Sequence, residues 1–191
     1  EKTTNYYKDI DKLLPEINDL YTEEIIYKAK NLLKSEISLV SSELHVQLPN
    51  CKPIPPHQDN FYHCVPFDKT LKILVPLQSL NNENGGLTFA NSDYQIEIYD
   101  HTPSDLKSFS SFIKEDLYKS KNFKETTYNY SKGDCSYHFG NSIHRSNGNK
   151  SSELSMFIVF RIESKDAEID KNCLKRYQIC YEKHLKLLEK I

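Results

Sequence analysis

The sequence predicts a mainly β chain with flanking helices, folded as a double-stranded β-helix, the jelly-roll barrel of the cupin type. Three observations predict it. Seven or eight short strand-like runs are separated by turn residues. Helical periodicity is confined to the two ends and to one insert. Two histidines and an aspartate with metal-ligand character lie far apart in the chain, as expected if distant strands of a barrel bring them together. A chain of 191 residues suits one domain with one core, so 1–191 reads as a single unit. Its parts are N-terminal helices over 1–35, a β-barrel core over 36–163 and a C-terminal helix over 166–190.

Each element has a local reason. A short helix is expected near 7–14, ending before Pro15. Residues 22–35 place Ile25, Ile26, Ala29, Leu32 and Leu33 at helical spacing, with Thr22 as the cap and acids in the first turn. From 37 to 49 the pattern turns to a strand. Leu44, Val46 and Leu48 share one face, and His45 and Gln47 share the other, which lines a cavity if it turns inward. Pro53, Pro55 and Pro56 force an extended approach to His57. A strand over 71–80, with Pro76 marking a bulge or an edge, is followed by a glycine-bearing turn over 81–86 and a return strand over 87–90. Residues 103–119 carry Leu106, Phe109, Phe112, Ile113 and Leu117 at spacings that predict an inserted helix. Further strands are expected over 126–130, 134–139 and 154–163. The last is nearly continuous in apolar residues and therefore central. Ile169, Cys173, Tyr177, Cys180 and Leu187 mark the apolar side of the final helix.

The chemistry sits in two stretches, His57-Gln58-Asp59 and the segment GDCSYHFGNSIHRS over 133–146. His57, Asp59 and His144 have the residue types and order of a two-histidine, one-carboxylate facial triad. Such a triad holds Fe(II) on one side and leaves positions open on the other. His57 and Asp59 are two residues apart, so on an extended chain they point to one face.

Four pieces in order make the segment from about 37 to 162 resemble the phytanoyl-CoA dioxygenase family of Fe(II)- and 2-oxoglutarate-dependent oxygenases. They are PPHQDN at 55–60, LQSLNNENGGLTFANSDY at 77–94, SKGDC at 131–135 and HRSNGNKS at 144–151. The resemblance implies the jelly-roll fold, iron held by His57, Asp59 and His144, and 2-oxoglutarate as cosubstrate. It also implies hydroxylation of a small-molecule substrate, with Ser146 touching the cosubstrate carboxylate. Related halogenases carry a small residue where this chain has Asp59, so the carboxylate favours hydroxylation or a related oxidation. Gln58, between two ligands, is a second candidate for contact with the cosubstrate or substrate.

One position departs from the resembled pattern. Family members carry an arginine about eleven residues after the distal histidine, where its guanidinium fork pairs with the far carboxylate of 2-oxoglutarate. Ser155 stands there in this chain. Arg161 is six residues further, roughly 20 Å of strand. The alternatives are a cation from another strand, with Lys72 one source, a set of hydroxyls, or a different cosubstrate. Phe61, Tyr62, Tyr137 and His138 are further candidates to wall the pocket. Asn84, Gly85, Asn149 and Ser151 read as turn residues.

Composition removes other classes. Net charge is −2 with no basic stripe, which argues against a nucleic-acid partner. No apolar run approaches the length of a membrane span. The first residues lack the layout of a secretory leader. Five cysteines without a CxxC pair fit a reduced, cytoplasmic protein. Three readings follow: a 2-oxoglutarate-dependent hydroxylase, an iron oxygenase on the same barrel that works without 2-oxoglutarate, and a non-catalytic metal- or ligand-binding barrel.

Overall fold

A computed structural model describes residues 4–91 and 97–190. Residues 92–94 of the 77–94 motif lie outside the described residues. The chain begins with β1 (Asn5–Lys8), α1 (Ile10–Leu13), a 3₁₀ turn (Pro15–Leu20) and α2 (Glu23–Leu33). The barrel strands are β2 (Ile37–Gln47), β3 (Ile54–His57), β4 (Thr70–Pro76) and β5 (Leu87–Asn91), with α3 (Asn60–His63) between β3 and β4. A hairpin of β6 (His101–Pro103) and β7 (Ser111–Ile113) leads to α4 (Glu115–Ser120). The chain closes with β8 (Lys124–Thr127), β9 (Ser136–Phe139), β10 (His144–Ser146), β11 (Ser155–Ser164) and α5 (Lys171–Leu188).

Two antiparallel sheets face each other. The larger has the order β1-β2-β11-β4-β9 and the smaller β3-β10-β5-β8. From β2 to β5 and again from β8 to β11, successive strands fall alternately in the two sheets, which is the jelly roll. As the apolar run of 154–163 required, β11 is central and pairs with both β2 and β4. Its two faces have different work. Ile158, Phe160 and Ile162 join Leu71, Ile73 and Val75 of β4 beneath Ile10, Ile25, Ala29 and Leu33 of the N-terminal helices. Phe157 and Val159 point the other way and pack with Leu74, Leu80 and Leu87 between the sheets. Because the helices cover the apolar face of β2, its polar face is turned into the barrel.

Side-chain caps start α2 and α5. The Thr22 hydroxyl accepts from Ile25 N at 3.3 Å, and Asp170 accepts from Asn172 N at 2.8 Å and Cys173 N at 3.2 Å. Asp170 starts α5 five residues later than the periodicity suggested, so Ile169 lies outside the helix and is exposed.

Two expected helices are corrected. Residues 7–14 are not one helix. Tyr6 and Tyr7 belong to β1, paired with His45 and Leu44, and Asp9 at φ 54° breaks the strand from the one-turn α1. The insert over 103–119 is mostly not helical. Pro103 ends β6, Ser104 N donates to Ser110 O at 2.9 Å, and only Glu115–Ser120 forms a helix. The apolar spacing there serves two destinations. Phe109 packs on His57, with ring centroids 4.7 Å apart, while Ile113 is buried with Ala90 and Ile143. Four serines in this stretch favour local turns over helix.

Candidate metal centre

The centre forms where β3 ends and β10 begins. His57 is the last residue of β3, His144 is the first of β10, and the two are direct antiparallel partners. Their ring centroids are 4.2 Å apart. Asp59 arrives differently from the expectation. It is not on an extended strand but in the right-handed helical region (φ −59°, ψ −33°) at the entry to α3. Its side chain makes no cap hydrogen bond, which leaves the carboxylate aimed at the histidines. Asp59 Oδ1 lies 3.9 Å from His57 Nε2, and Oδ2 lies 4.0 Å from His144 Nε2. One ligand atom from each residue lies within 4.8 Å of the others.

The outer ring nitrogens fix the imidazoles. His57 Nδ1 lies 2.9 Å from Pro55 O, and His144 Nδ1 lies 3.0 Å from Ser142 O. A carbonyl only accepts, so each Nδ1 carries the proton and each Nε2 presents a lone pair to the centre. Burial pushes the pKa of His57 down and that of His144 well down, which keeps both rings neutral and ready as ligands. Burial alone would raise Asp59. The Lys72 charge, the His138 contact and the two ligand histidines outweigh it and hold the carboxyl well below its usual range. Two neutral nitrogens and one anionic oxygen on one side of a shared space are the donor set that fits Fe(II).

The other candidate residues divide. Ser146 lines the cavity. Its hydroxyl accepts from Gln47 Nε2 at 3.2 Å and donates to Gly85 O at 3.1 Å. Gln58 does not line it. Although it sits between two ligands in sequence, its side chain turns away and is fully buried. It donates to Glu97 O at 2.8 Å and Asn141 O at 2.9 Å and accepts from Tyr99 N at 2.8 Å. The turn at Asp59 sends Gln58 to the opposite side of the chain from the cavity. Ser155 opens β11 opposite Gln47, fully buried, and is not among the residues lining the cavity. Arg145 contributes to the cavity lining, but its guanidinium is paired with Glu125 at 2.8 and 2.6 Å, and Arg161 is paired with Glu163.

Several cavity residues were weakly marked in the sequence or missed. Glu43, His45 and Gln47 form the inward face of β2, and Lys72 reaches in from β4 opposite Arg161 and His138. The alternation of 43, 45 and 47 carried the signal for β2. Nothing local marked Lys72 as inward, since β4 is buried on both faces. Gln47 is wedged against the turn after β4. Gly85 has φ +91°, and a Cβ there would lie 1.3 Å from Gln47 Oε1. Tyr62, His63 and Phe109 wall the cavity, whose volume is about 270 Å³. Phe61 does not. Its ring stacks on His101 at 4.1 Å in the core.

With this geometry the sequence matches the family model of phytanoyl-CoA dioxygenase (PhyH) over residues 6–155. The chain belongs to the phytanoyl-CoA dioxygenase family. No curated protein matches it in sequence. Solved structures share the fold. The epimerase SnoN in complex with Fe3+, alpha ketoglutarate and nogalamycin RO superposes with a TM-score of 0.71 at 19% identity, covering 87% of this chain and 66% of that one. EvdO2 from Micromonospora carbonacea var. aurantiaca complexed with 2-oxoglutarate gives 0.75 at 16% identity, covering 88% and 70%. EctD from S. alaskensis with 2-oxoglutarate and 5-hydroxyectoine gives 0.70 at 15% identity, covering 86% and 58%. The chain spans just under two thirds of the length of the SnoN and SnoK structures it matches. Among the described residues of this family member, no helix is long and apolar enough to cross a membrane.

Proposed function

We propose that this family member is a non-haem Fe(II)- and 2-oxoglutarate-dependent dioxygenase that hydroxylates a small-molecule substrate, with the whole chain working as one oxygenase domain. The observation that carries the reading is the convergence of His57, Asp59 and His144 at the β3–β10 pairing inside a jelly roll of this family. When bound, iron with 2-oxoglutarate and dioxygen supplies the oxidising power for C–H hydroxylation.

The chain's own residues supply position and environment. His57 and His144 would hold the metal through Nε2, with Pro55 and Ser142 keeping their rings from turning. Asp59 would bring the negative charge and fill the place a halide would need, which favours hydroxylation or a related oxidation over halogenation. Lys72, a cation that lines the cavity with Asp59 and Glu43, would pair with a carboxylate of the cosubstrate, and Ser146 would add a hydroxyl. A buried carboxylate without such a partner would cost several kcal/mol or more. Tyr62 and Phe109 pack beside His57 and keep water from the ligands. The five free cysteines fit a reduced, cytoplasmic setting for this chemistry.

A second reading keeps the iron and drops 2-oxoglutarate. It is favoured by Ser155 and Gln47, neutral residues at the end of the barrel where an arginine would be expected. Oxygen uptake by the Fe(II) protein, measured with and without 2-oxoglutarate and coupled to succinate detection, separates the two. Succinate formed in step with oxygen consumption supports the first reading. Substrate-driven uptake that ignores 2-oxoglutarate selects the second, and chlorinated product in high chloride contradicts the role given to Asp59.

A further inference from the structure

Three imidazole Nε2 atoms stand around the Asp59 carboxylate, and the nearest belongs to neither histidine of the triad. His138 Nε2 lies 3.7 Å from Asp59 Oδ2. His57 Nε2 lies 3.9 Å from Oδ1, and His144 Nε2 lies 4.0 Å from Oδ2. His138 comes from β9, opposite Lys72 of β4, and is 7% exposed. Its ring meets Phe89 edge-on, with centroids 5.2 Å apart, and tilts against His144 at 4.8 Å.

The three rings differ at their other nitrogen. Nδ1 of His57 and of His144 donates to a backbone carbonyl, which leaves each Nε2 as a lone pair. His138 Nδ1 has no such carbonyl, and among the described residues neither of its nitrogens has a hydrogen-bond partner. A proton on Nδ1 alone would leave a buried N–H unbonded and aim the Nε2 lone pair at an anionic oxygen. A proton on Nε2 faces the acceptor it needs. Asp59 has the matching need. Its side chain makes no cap hydrogen bond. A carboxylate that ligates a metal is in turn hydrogen-bonded, and the donor fixes its orientation.

We propose that His138 is a positioning residue of the metal centre, donating from Nε2 to Asp59 Oδ2 and leaving Oδ1 to the metal. The 3.7 Å separation is longer than a hydrogen bond and closes as the carboxylate is drawn into the metal site. Engaging one oxygen keeps Asp59 monodentate. A bidentate carboxylate would take one of the positions that a facial triad leaves open. His138 is therefore not a fourth ligand, although its imidazole lines the same cavity. The inference rests on the metal-binding reading of the triad and is independent of the cosubstrate.

The test is the position of the ring protons in the wild-type protein loaded with Zn(II), a diamagnetic stand-in for Fe(II). Long-range 1H–15N spectra should show the His138 proton on Nε2 and the His57 and His144 protons on Nδ1. A His138 ring protonated only on Nδ1, with Nε2 metal-bound or not, would overturn the proposal, because the donor would be gone. Metal titrations of two variants give an independent readout. His138→Phe should weaken Zn(II) and Fe(II) binding about tenfold or more. His138→Gln, whose amide can still donate to Oδ2, should recover most of that loss. Unchanged affinity in His138→Phe, or an equal loss in both variants, would overturn the proposal. The spectra need no variant and decide the question even if His138→Phe does not fold. Wild-type protein that binds neither metal would overturn the metal-binding reading together with this inference, whereas the other contrary results overturn the inference alone.

Discussion

Three side chains and their backbone tethers define the centre at the residue scale. Both histidines of the triad are neutral and already oriented, so metal binding would not have to displace a proton from Nε2 at neutral pH. Replacing His144 by Ala removes a donor from a set of three. Fe(II) affinity should fall by more than the roughly 10–100-fold typical of losing an outer-shell partner, with circular dichroism unchanged. Full iron occupancy in His144→Ala, read by metal analysis after dialysis, would sink the assignment. Lys72 is assigned to the cosubstrate only under the proposed function. Lys72→Ala should leave Fe(II) binding intact but weaken 2-oxoglutarate binding at least tenfold, measured by calorimetry on the anaerobic Fe(II) protein. Equal affinity in wild type and variant would remove Lys72 from the cosubstrate while leaving the metal centre as described.

Elements matter through how they are tied. The turn between β3 and α3 carries Asp59, and Gln58 is its fastener. That one side chain satisfies the carbonyls of Glu97 and Asn141 and the amide of Tyr99, while its backbone N–H donates to His101 Nε2 at 3.2 Å. Leu at this position would fill similar volume but remove one buried hydrogen bond, to Asn141 O, and two part-buried ones, to Glu97 O and from Tyr99 N, a buried loss being worth about 1–3 kcal/mol. Gln58→Leu should therefore destabilise the chain by about 2 kcal/mol or more, read as a lower urea midpoint. It should also loosen Asp59 and weaken Fe(II) binding. A loss below about 1 kcal/mol would show that the fastener bears little of the turn. The hairpin of β6 and β7 acts in the same neighbourhood, since the phenol of Tyr62 donates to Ser111 O and Phe109 packs on His57.

For the whole molecule, the burial of polar groups inside the barrel sets its response to acid. Burial holds His101 down to about 3 and lowers His45, so both are neutral when folded and take up protons when unfolded. Glu43 is held at about 2, with burial opposing and the His45 contact and Lys72 charge prevailing. The unfolded chain binds more protons in each case, so stability is fully present near neutrality and is lost as pH falls. The loss begins near the ordinary histidine value, about 6.5, and deepens through the carboxylate range near 4. The urea midpoint of the metal-free protein should decline steadily from pH 7 to pH 4. A level midpoint would show that these side chains are not buried in the states described.

Although it undercounted the strands and began α5 too early, the sequence alone determined which residues could bind iron, the jelly-roll class, the central place of β11 and the capped start of α2. Each of these is written locally, in residue type, in an apolar run or in a cap. Alternation in 43–48 separated a polar from an apolar face but did not say which one turns inward. That was settled when α1 and α2 packed on the apolar face and left Glu43, His45 and Gln47 to the cavity. Lys72 and His138 were decided the same way, by pairing across β4 and β9. Gln58 was misplaced because sequence adjacency to two ligands says nothing of a helical turn at Asp59. The insert over 103–119 misled for a related reason. One set of apolar residues fits either a single helix face or two separate burial sites, and only the neighbours they pack against, His57 in one case and Ala90 with Ile143 in the other, select between them.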